Sequence, residues 1–278
     1  MLAVAALSAL VWSATALPPT PTSANSSALP LLPKLAAAAG SDSAPAPQRS
    51  VHQVAMRDGT KLNTIVFLPA GYKAGDKLAT VMIRTPYNAA FLDNEAPAWC
   101  GAGFALVNQD VRGMYASAGS FRMFHDVGYD GYDTVAWITS QPWSNGRVGQ
   151  TGASALAIAT YNLMTNHDPE PPPGLQAVAP IVGNAVMHKM DFQGGAWRES
   201  LMAGWLDAQK GGSPWIPVEL AHEGYDSNAE NTSGYYKIDG VSGFSRARKA
   251  AVPGVHQAGW YDIFSWTQIE TFHQLNGR

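Results

Sequence analysis

The stretch Arg147-Val148-Gly149-Gln150-Thr151-Gly152-Ala153-Ser154-Ala155-Leu156-Ala157 decides how the rest of the chain is read. A strand-like run leads straight into it, and the apolar residues from Ser154 to Thr165 read as a helix. A side chain displayed at the tip of a sharp strand-to-helix turn needs small neighbours, and Gly152, Ala153, Ala155 and Ala157 surround Ser154. The helix behind the turn adds backbone N–H groups and a positive dipole end where an oxyanion would form. The pattern departs from Gly-x-Ser-x-Gly, because Leu156 and Ala157 stand where the second glycine would be. Ser154 is thus a candidate nucleophile, to be judged by its surroundings.

Working outward, Val54 to Arg57, Asp58-Gly59 and Lys61 to Leu68 predict a hairpin closed by a tight Asp-Gly turn. Apolar runs at Thr80 to Arg84, Phe104 to Asn108, Val178 to Val182 and Val255 to Gly259 predict buried strands. Helices are expected at Tyr129 to Ser140 and from Ser154 to Thr165. Strands alternating with helices imply an α/β fold: a mostly parallel sheet flanked by helices, here opened by an antiparallel hairpin, which is the α/β-hydrolase layout. The stretch from Ala185 to about Ala251 breaks this rhythm and carries helix-like pieces such as Trp197 to Gln209. The expected organisation is a hydrolase core over residues 51–184 and 252–278, with an inserted helical cap over 185–251 lying above Ser154.

The bulk numbers fit one large domain. The 278 residues are 46% hydrophobic and 14% charged, with a net charge of -3. No basic stripe is present to grip phosphates, so neither nucleic acid nor an anionic membrane is expected as a partner. The lone Cys100 cannot form an internal disulfide and reads as a packing residue. No Cys/His spacing suggests a metal, and no cofactor is expected. Met1 to Trp12 are apolar and end in Ser13-Ala14-Thr15-Ala16, a small-x-small cleavage pattern. Residues 1–16 are therefore expected to be a signal peptide, though without a basic n-region, and the protein to be secreted or periplasmic. Residues 17–50, rich in Ala, Pro and Ser, are expected to be a disordered linker.

Several segments in the right order resemble one family, the cocaine-esterase and X-prolyl dipeptidyl peptidase hydrolases. They are Met56-Arg57-Asp58-Gly59, Arg84-Thr85-Pro86-Tyr87, Gln109-Asp110-Val111-Arg112-Gly113 and Ser117-Ala118-Gly119-Ser120-Phe121. The most distinctive block is Asp130-Gly131-Tyr132-Asp133-Thr134-Val135-Ala136-Trp137 followed by Gln141-Pro142-Trp143-Ser144-Asn145-Gly146-Arg147-Val148-Gly149, and Gly259-Trp260-Tyr261-Asp262 comes last. The resemblance implies Ser154 as nucleophile, the Ala155 N–H and the Tyr87 hydroxyl as oxyanion donors, and Asp262 as the triad carboxylate. Position 155 usually holds Tyr in this family; its replacement removes side-chain packing and keeps the backbone donor. From the residues alone, Asp262 reads equally well as an N-cap for the helix that follows.

The triad runs Ser, Asp, His along such chains. His273 alone follows Asp262, and it falls within Trp266 to Leu275, a helix that should point it away from the acid. His52, His125, His167, His188, His222 and His256 all precede Asp262, with His125 and His222 the nearest candidates to the pocket. The triad histidine and the family's C-terminal β-sandwich are accordingly expected to be missing, as in a truncated family member. The implied activity is hydrolysis of an ester, amide or peptide bond in a small-molecule substrate, with acyl transfer to another acceptor using the same chemistry. The alternative is a non-catalytic hydrolase-like protein. In the cap, Glu199, Asp207, Glu219, Glu223 and Asp226 form no decisive cluster. Trp197, Trp205, Trp215, Tyr225, Tyr235 and Tyr236 would suit an apolar acyl group.

Overall fold

The structure, a computed structural model, describes residues 45–122, 124, 126–165, 171–185, 187–193, 196–209 and 252–276. The expected signal segment, most of the expected linker and residues 210–251 of the expected cap lie outside the described residues. The chain runs through β1 (Gln48–Ala55), β2 (Lys61–Leu68), β3 (Leu78–Thr85), a 3-10 turn (Ala89–Glu95), α1 (Ala96–Gly101), β4 (Ala105–Asp110), α2 (Val127–Ser140) and β5 (Ser144–Ala153). It continues with α3 (Ala155–Thr165), β6 (Leu175–Ile181), α4 (Met187–Asp191), the short strands β7 (Phe192–Gln193) and β8 (Ala196–Trp197), α5 (Glu199–Asp207) and α6 (Ser265–Leu275).

Six strands form one sheet in the order β1-β2-β4-β3-β5-β6. β1 and β2 pair antiparallel around the Asp58-Gly59 turn, and β2 meets β4 antiparallel. The β4–β3, β3–β5 and β5–β6 pairs are parallel, as strands joined through helical crossovers must be. The α/β expectation is met. β1 starts at Gln48, ahead of the expected boundary near Val51 and inside the expected linker. Pairing there extends to Leu68, and Gln48 Nε2 donates to the carbonyls of Ala70 and Tyr72 at 3.2 Å each.

Helix α3 is buried along its whole length, which explains why its sequence is apolar all round rather than amphipathic. It contributes to two clusters of buried residues, one of which contains Ile65, Val81, Ile83, Leu106, Trp99 and Ile158. The other contains Met82 and Val107 of the sheet, Val135 and Ile138 of α2 and Leu163 of α3, so α2 and α3 pack side by side. Cys100 packs in the first, and burial pushes its thiol up to about 12, which makes it an inert packing group.

The expected strand at Val255 to Gly259 is only partly formed. Val178 N–H donates to the Pro253 carbonyl at 3.0 Å, Val255 N–H to Val178 at 3.1 Å, Gln257 N–H to Pro180 at 3.1 Å and Val182 N–H to Gln257 at 2.8 Å. The bond that would complete the ladder belongs to position 180, and proline has no N–H to give. Two isolated bridges remain, Val178 with Gly254 and Ile181 with Gln257, and Val255 is exposed rather than buried.

Charged and polar residues of four of the motifs meet in hydrogen bonds and ion pairs that span sheet and helix. Arg84 is fully buried; its Nε donates to Gln109 Oε1 at 2.7 Å and its Nη1 to the Val127 carbonyl. Gln109 is further bound by Thr134 Oγ1 at 3.0 Å and bonds Thr64 Oγ1 at 3.0 Å. A Cβ on Gly131 would lie 2.9 Å from Arg84 Nη1, so the glycine leaves room for the guanidinium. Arg112 bridges Asp130 at 2.6 Å and Asp58 at 2.6 Å, and Arg57 makes a fork to Asp133. Burial lowers Arg84 to about 10, and nearby Asp130 opposes that shift. Burial raises the Asp130 carboxyl, with Arg112 pulling the other way, while Arg112 and the Thr60 N–H hold Asp58 far below its usual range.

Two consequences can be measured. Arg84→Lys keeps the charge but cannot reach Gln109 and the Val127 carbonyl from one planar fork. It should lower unfolding free energy by about 2 kcal/mol in urea titrations, since a buried group is left unpaired. His256 bonds Tyr161 through Nδ1 at 2.8 Å, and burial depresses its imidazole to about 4. The unfolded chain takes up this proton near pH 6.5 and the folded chain only near pH 4. Stability should therefore be full above about pH 6.5 and fall as the pH drops toward 4. His256→Asn should flatten urea midpoints in that window.

Candidate active site

Ser154 is the residue between β5 and α3, and its backbone sits at φ 60. A non-glycine residue in the left-handed region is uncommon and costs of order 1–3 kcal/mol, so the surroundings must enforce it. They do so on both sides. The Ser154 N–H donates to the carbonyls of Ile181 at 3.0 Å and Val182 at 3.1 Å, tying the turn to the end of β6. The Ser154 carbonyl accepts from Ile158 N–H at 3.0 Å, which begins α3. A Cβ on Gly152 would lie 2.4 Å from Leu156 Cβ, and a Cβ on Gly183 would lie 2.4 Å from Ala157 Cβ and 3.2 Å from the Ser154 carbonyl. Leu156, at the pattern's second glycine position, therefore packs against Gly152, and Ala157 beside it is matched by Gly183 across the gap. Gly183 was not flagged in the sequence; its position just past the end of β6 was the available signal.

A cavity of about 90 Å³ opens beside Ser154, walled by Ala155, Ile158, Phe124, Met202, Trp205 and Phe264 among others. Ala155 is the first residue of α3, so its N–H has no acceptor within the helix and faces the turn's positive end. A second cavity, of about 320 Å³, lies on the other side of the same turn and is lined by Gly152, Ala153, Tyr87, Trp99 and Glu95. Tyr87 follows β3 on a loop anchored at the end of β4: Asp110 accepts from Ala89 N–H at 2.6 Å and from Asn63 Nδ2 at 2.8 Å, and Tyr87 N–H donates to Thr85 Oγ1 at 2.9 Å. The Tyr87 hydroxyl accepts from the Trp205 indole N–H at 2.8 Å.

Asp262 accepts from Phe264 N–H at 2.8 Å, in the manner of a turn that opens α6. It directly precedes Ile263 and Phe264, both of which wall the Ser154 cavity. Among the described residues, three histidine side chains are placed, and none of them lines the Ser154 cavity. His52 meets Ser50 at 2.9 Å, His256 stacks on Tyr161, and His273 is exposed on α6 beside Phe272. His125, His167 and His222 lie outside the described residues, as do Glu219, Glu223, Asp226, Trp215, Tyr225, Tyr235 and Tyr236. Glu199 and Asp207 are exposed on α5. Among the described residues, no group of three His, Cys, Asp or Glu side chains is arranged to hold a metal ion, and no helix is long and apolar enough to cross a membrane.

Residues 58–278 match the X-Pro dipeptidyl-peptidase (S15) family. The chain belongs to this family. The cocaine esterase of Rhodococcus sp. (strain MB1 Bresler) is 24% identical over 270 residues, which cover 79% of this chain and 45% of that protein. Among solved structures, an α-amino acid ester hydrolase superposes with a TM-score of 0.64 at 21% identity, covering 85% of this chain and 47% of that one. An aminopeptidase from a marine-sediment Thaumarchaeota archaeon gives 0.61 at 22%, covering 83% and 46%. The S15 chain thus spans about half the length of these relatives, and its fold is theirs over that half.

The glycine–alanine match is open to test. Gly183→Ala should destabilise the fold by about 1–3 kcal/mol through overpacking against Ala157. Adding Ala157→Gly should return part of that loss, read as a recovery in the thermal unfolding midpoint; equal and additive losses would show that the two positions do not press on each other.

Proposed function

We propose that this S15 chain carries the core of a serine hydrolase that cleaves ester or amide bonds through an acyl-enzyme on Ser154. The observation that carries the reading is Ser154 itself: a strained serine at φ 60, on a turn clamped by Ile181 and Val182, at the mouth of an apolar cavity. In this reading the Ser154 oxygen adds to the carbonyl carbon of the substrate as its proton passes to a base. The resulting oxyanion takes hydrogen bonds from the Ala155 N–H and the Tyr87 hydroxyl, both neutral donors that require no counter-ion. Collapse breaks the bond to the leaving alcohol or amine, which departs with a proton, and water then repeats the addition on the acyl-enzyme. Asp262 is assigned as the carboxylate that would orient the base, on its place in Gly259-Trp260-Tyr261-Asp262 and its adjacency to the cavity wall. The aliphatic and aromatic walls favour a small apolar acyl group. The apolar leader at Met1 to Ala16 supports export from the cytoplasm.

One observation favours a second reading, a non-catalytic hydrolase-like protein. His52, His256 and His273 all lie away from the Ser154 cavity, and the Asp262 carboxylate serves the α6 turn. Fluorophosphonate labelling with intact mass separates the two. The first reading expects one adduct on the folded wild-type chain and none on Ser154→Ala. It also expects labelling slowed roughly 100-fold in Tyr87→Phe, the usual loss of an oxyanion donor. A folded wild type that takes no adduct establishes the second reading.

A further inference from the structure

We propose that Trp205 is a positioning residue: through its indole N–H, the cap helix α5 sets the direction in which the Tyr87 hydroxyl donates. The inference rests on the reading of Tyr87 as an oxyanion donor, and it adds a residue from a different part of the chain, 118 positions away.

An indole N–H can only donate, so in the 2.8 Å contact between Trp205 Nε1 and the Tyr87 oxygen the phenol must be the acceptor. A phenolic proton prefers the plane of its ring, where the oxygen offers two directions. With one of them filled by Trp205, the Tyr87 proton is left to the other. The bond also polarises the phenol, because a hydroxyl that accepts a hydrogen bond becomes a better donor. Trp205 walls the Ser154 cavity and Tyr87 walls the larger cavity across the turn, so their bond joins the two sides around the reacting serine.

The indole is itself held from outside α5. Its ring stacks on Phe124 with centroids 5.9 Å apart and planes at 17°, and Phe121 packs against it at 6.2 Å. Both phenylalanines belong to the segment between β4 and α2, which also carries Arg112 of the polar network. The orientation of the N–H is thus fixed by packing from the core rather than by α5 alone, as a positioning role requires. A tryptophan present only to fill the cavity would need no partner for its nitrogen at the Tyr87 oxygen.

Two measurements on the full chain test this. In ¹⁵N-indole spectra, Trp205→Phe identifies the Trp205 resonance by its disappearance. Tyr87→Phe, which removes only the acceptor oxygen, should then shift that resonance and speed its exchange with solvent. An unmoved resonance overturns the proposal whether or not the protein reacts with any probe. The second measurement is the rate of fluorophosphonate labelling of Ser154 in the wild type, each single variant and the double variant. Trp205→Phe should slow labelling about fivefold, the scale of one hydrogen bond. In the Tyr87→Phe background it should change nothing further, since the bond is already gone. Multiplicative losses would assign Trp205 to cavity packing and overturn the inference. A wild type that takes no label would instead defeat the hydrolase reading and leave the decision to the indole resonance.

Discussion

The structure depends on one guanidinium that never meets water. Arg84 lies at the end of β3 with its side chain fully buried, and an unpaired charge in such a place would cost several kcal/mol. Its Nε is met by Gln109 from β4 and its Nη1 by the Val127 carbonyl at the start of α2, its Nη2 has no hydrogen-bond partner among the described residues, and Asp130, one turn further along α2, offsets its charge. Asp130 in turn holds Arg112, which holds Asp58 in the hairpin turn. Four pieces of chain that are distant in sequence are therefore fixed relative to one another by geometry that hydrophobic packing alone would leave loose. Gly131 belongs to the same device, since any side chain there would press on the guanidinium.

That fixed frame is what allows strain at Ser154. A left-handed serine relaxes unless the strand before it and the helix after it are both immobile. β5 is held centrally in the sheet between β3 and β6, and α3 is buried from end to end. Strand β4 places Tyr87. Its loop hangs from Asp110, the residue after Gln109, so β4 both pairs Arg84 and anchors the loop carrying the phenol. The stability of the core and the geometry around the serine are in this sense one property, and the S15 motifs gather where that property is made.

Much of this was legible in the chain itself. The strand–turn–helix around Ser154, the Asp-Gly hairpin and the alternation of strands and helices follow from local rules: small residues at a tight turn, periods of 2 and 3.6, and turn chemistry. Cys100 as a packing group was legible for the same reason, with apolar neighbours on both sides. Local rules failed where one strand's chemistry decided another's fate. The apolar run at Val255 reads as a buried strand, yet Pro180 on the neighbouring strand withholds the N–H that would complete the ladder. The start of β1 at Gln48 escaped composition because its pairing partner, not its own residues, sets its length.

The sequence by itself determined the fold class, the strand–turn–helix at Ser154 and the family to which the chain belongs, because each is written in residues close together or in motifs kept in order. Only the tertiary structure decided that Ala157 is matched by Gly183, that four separate motifs form a single charge network around Arg84, and that Trp205 reaches back to the Tyr87 hydroxyl. The physical reason is the range of the interactions. Backbone propensity and turn sterics act over a few residues, whereas close packing and buried hydrogen bonds join atoms that only the folded sheet brings together.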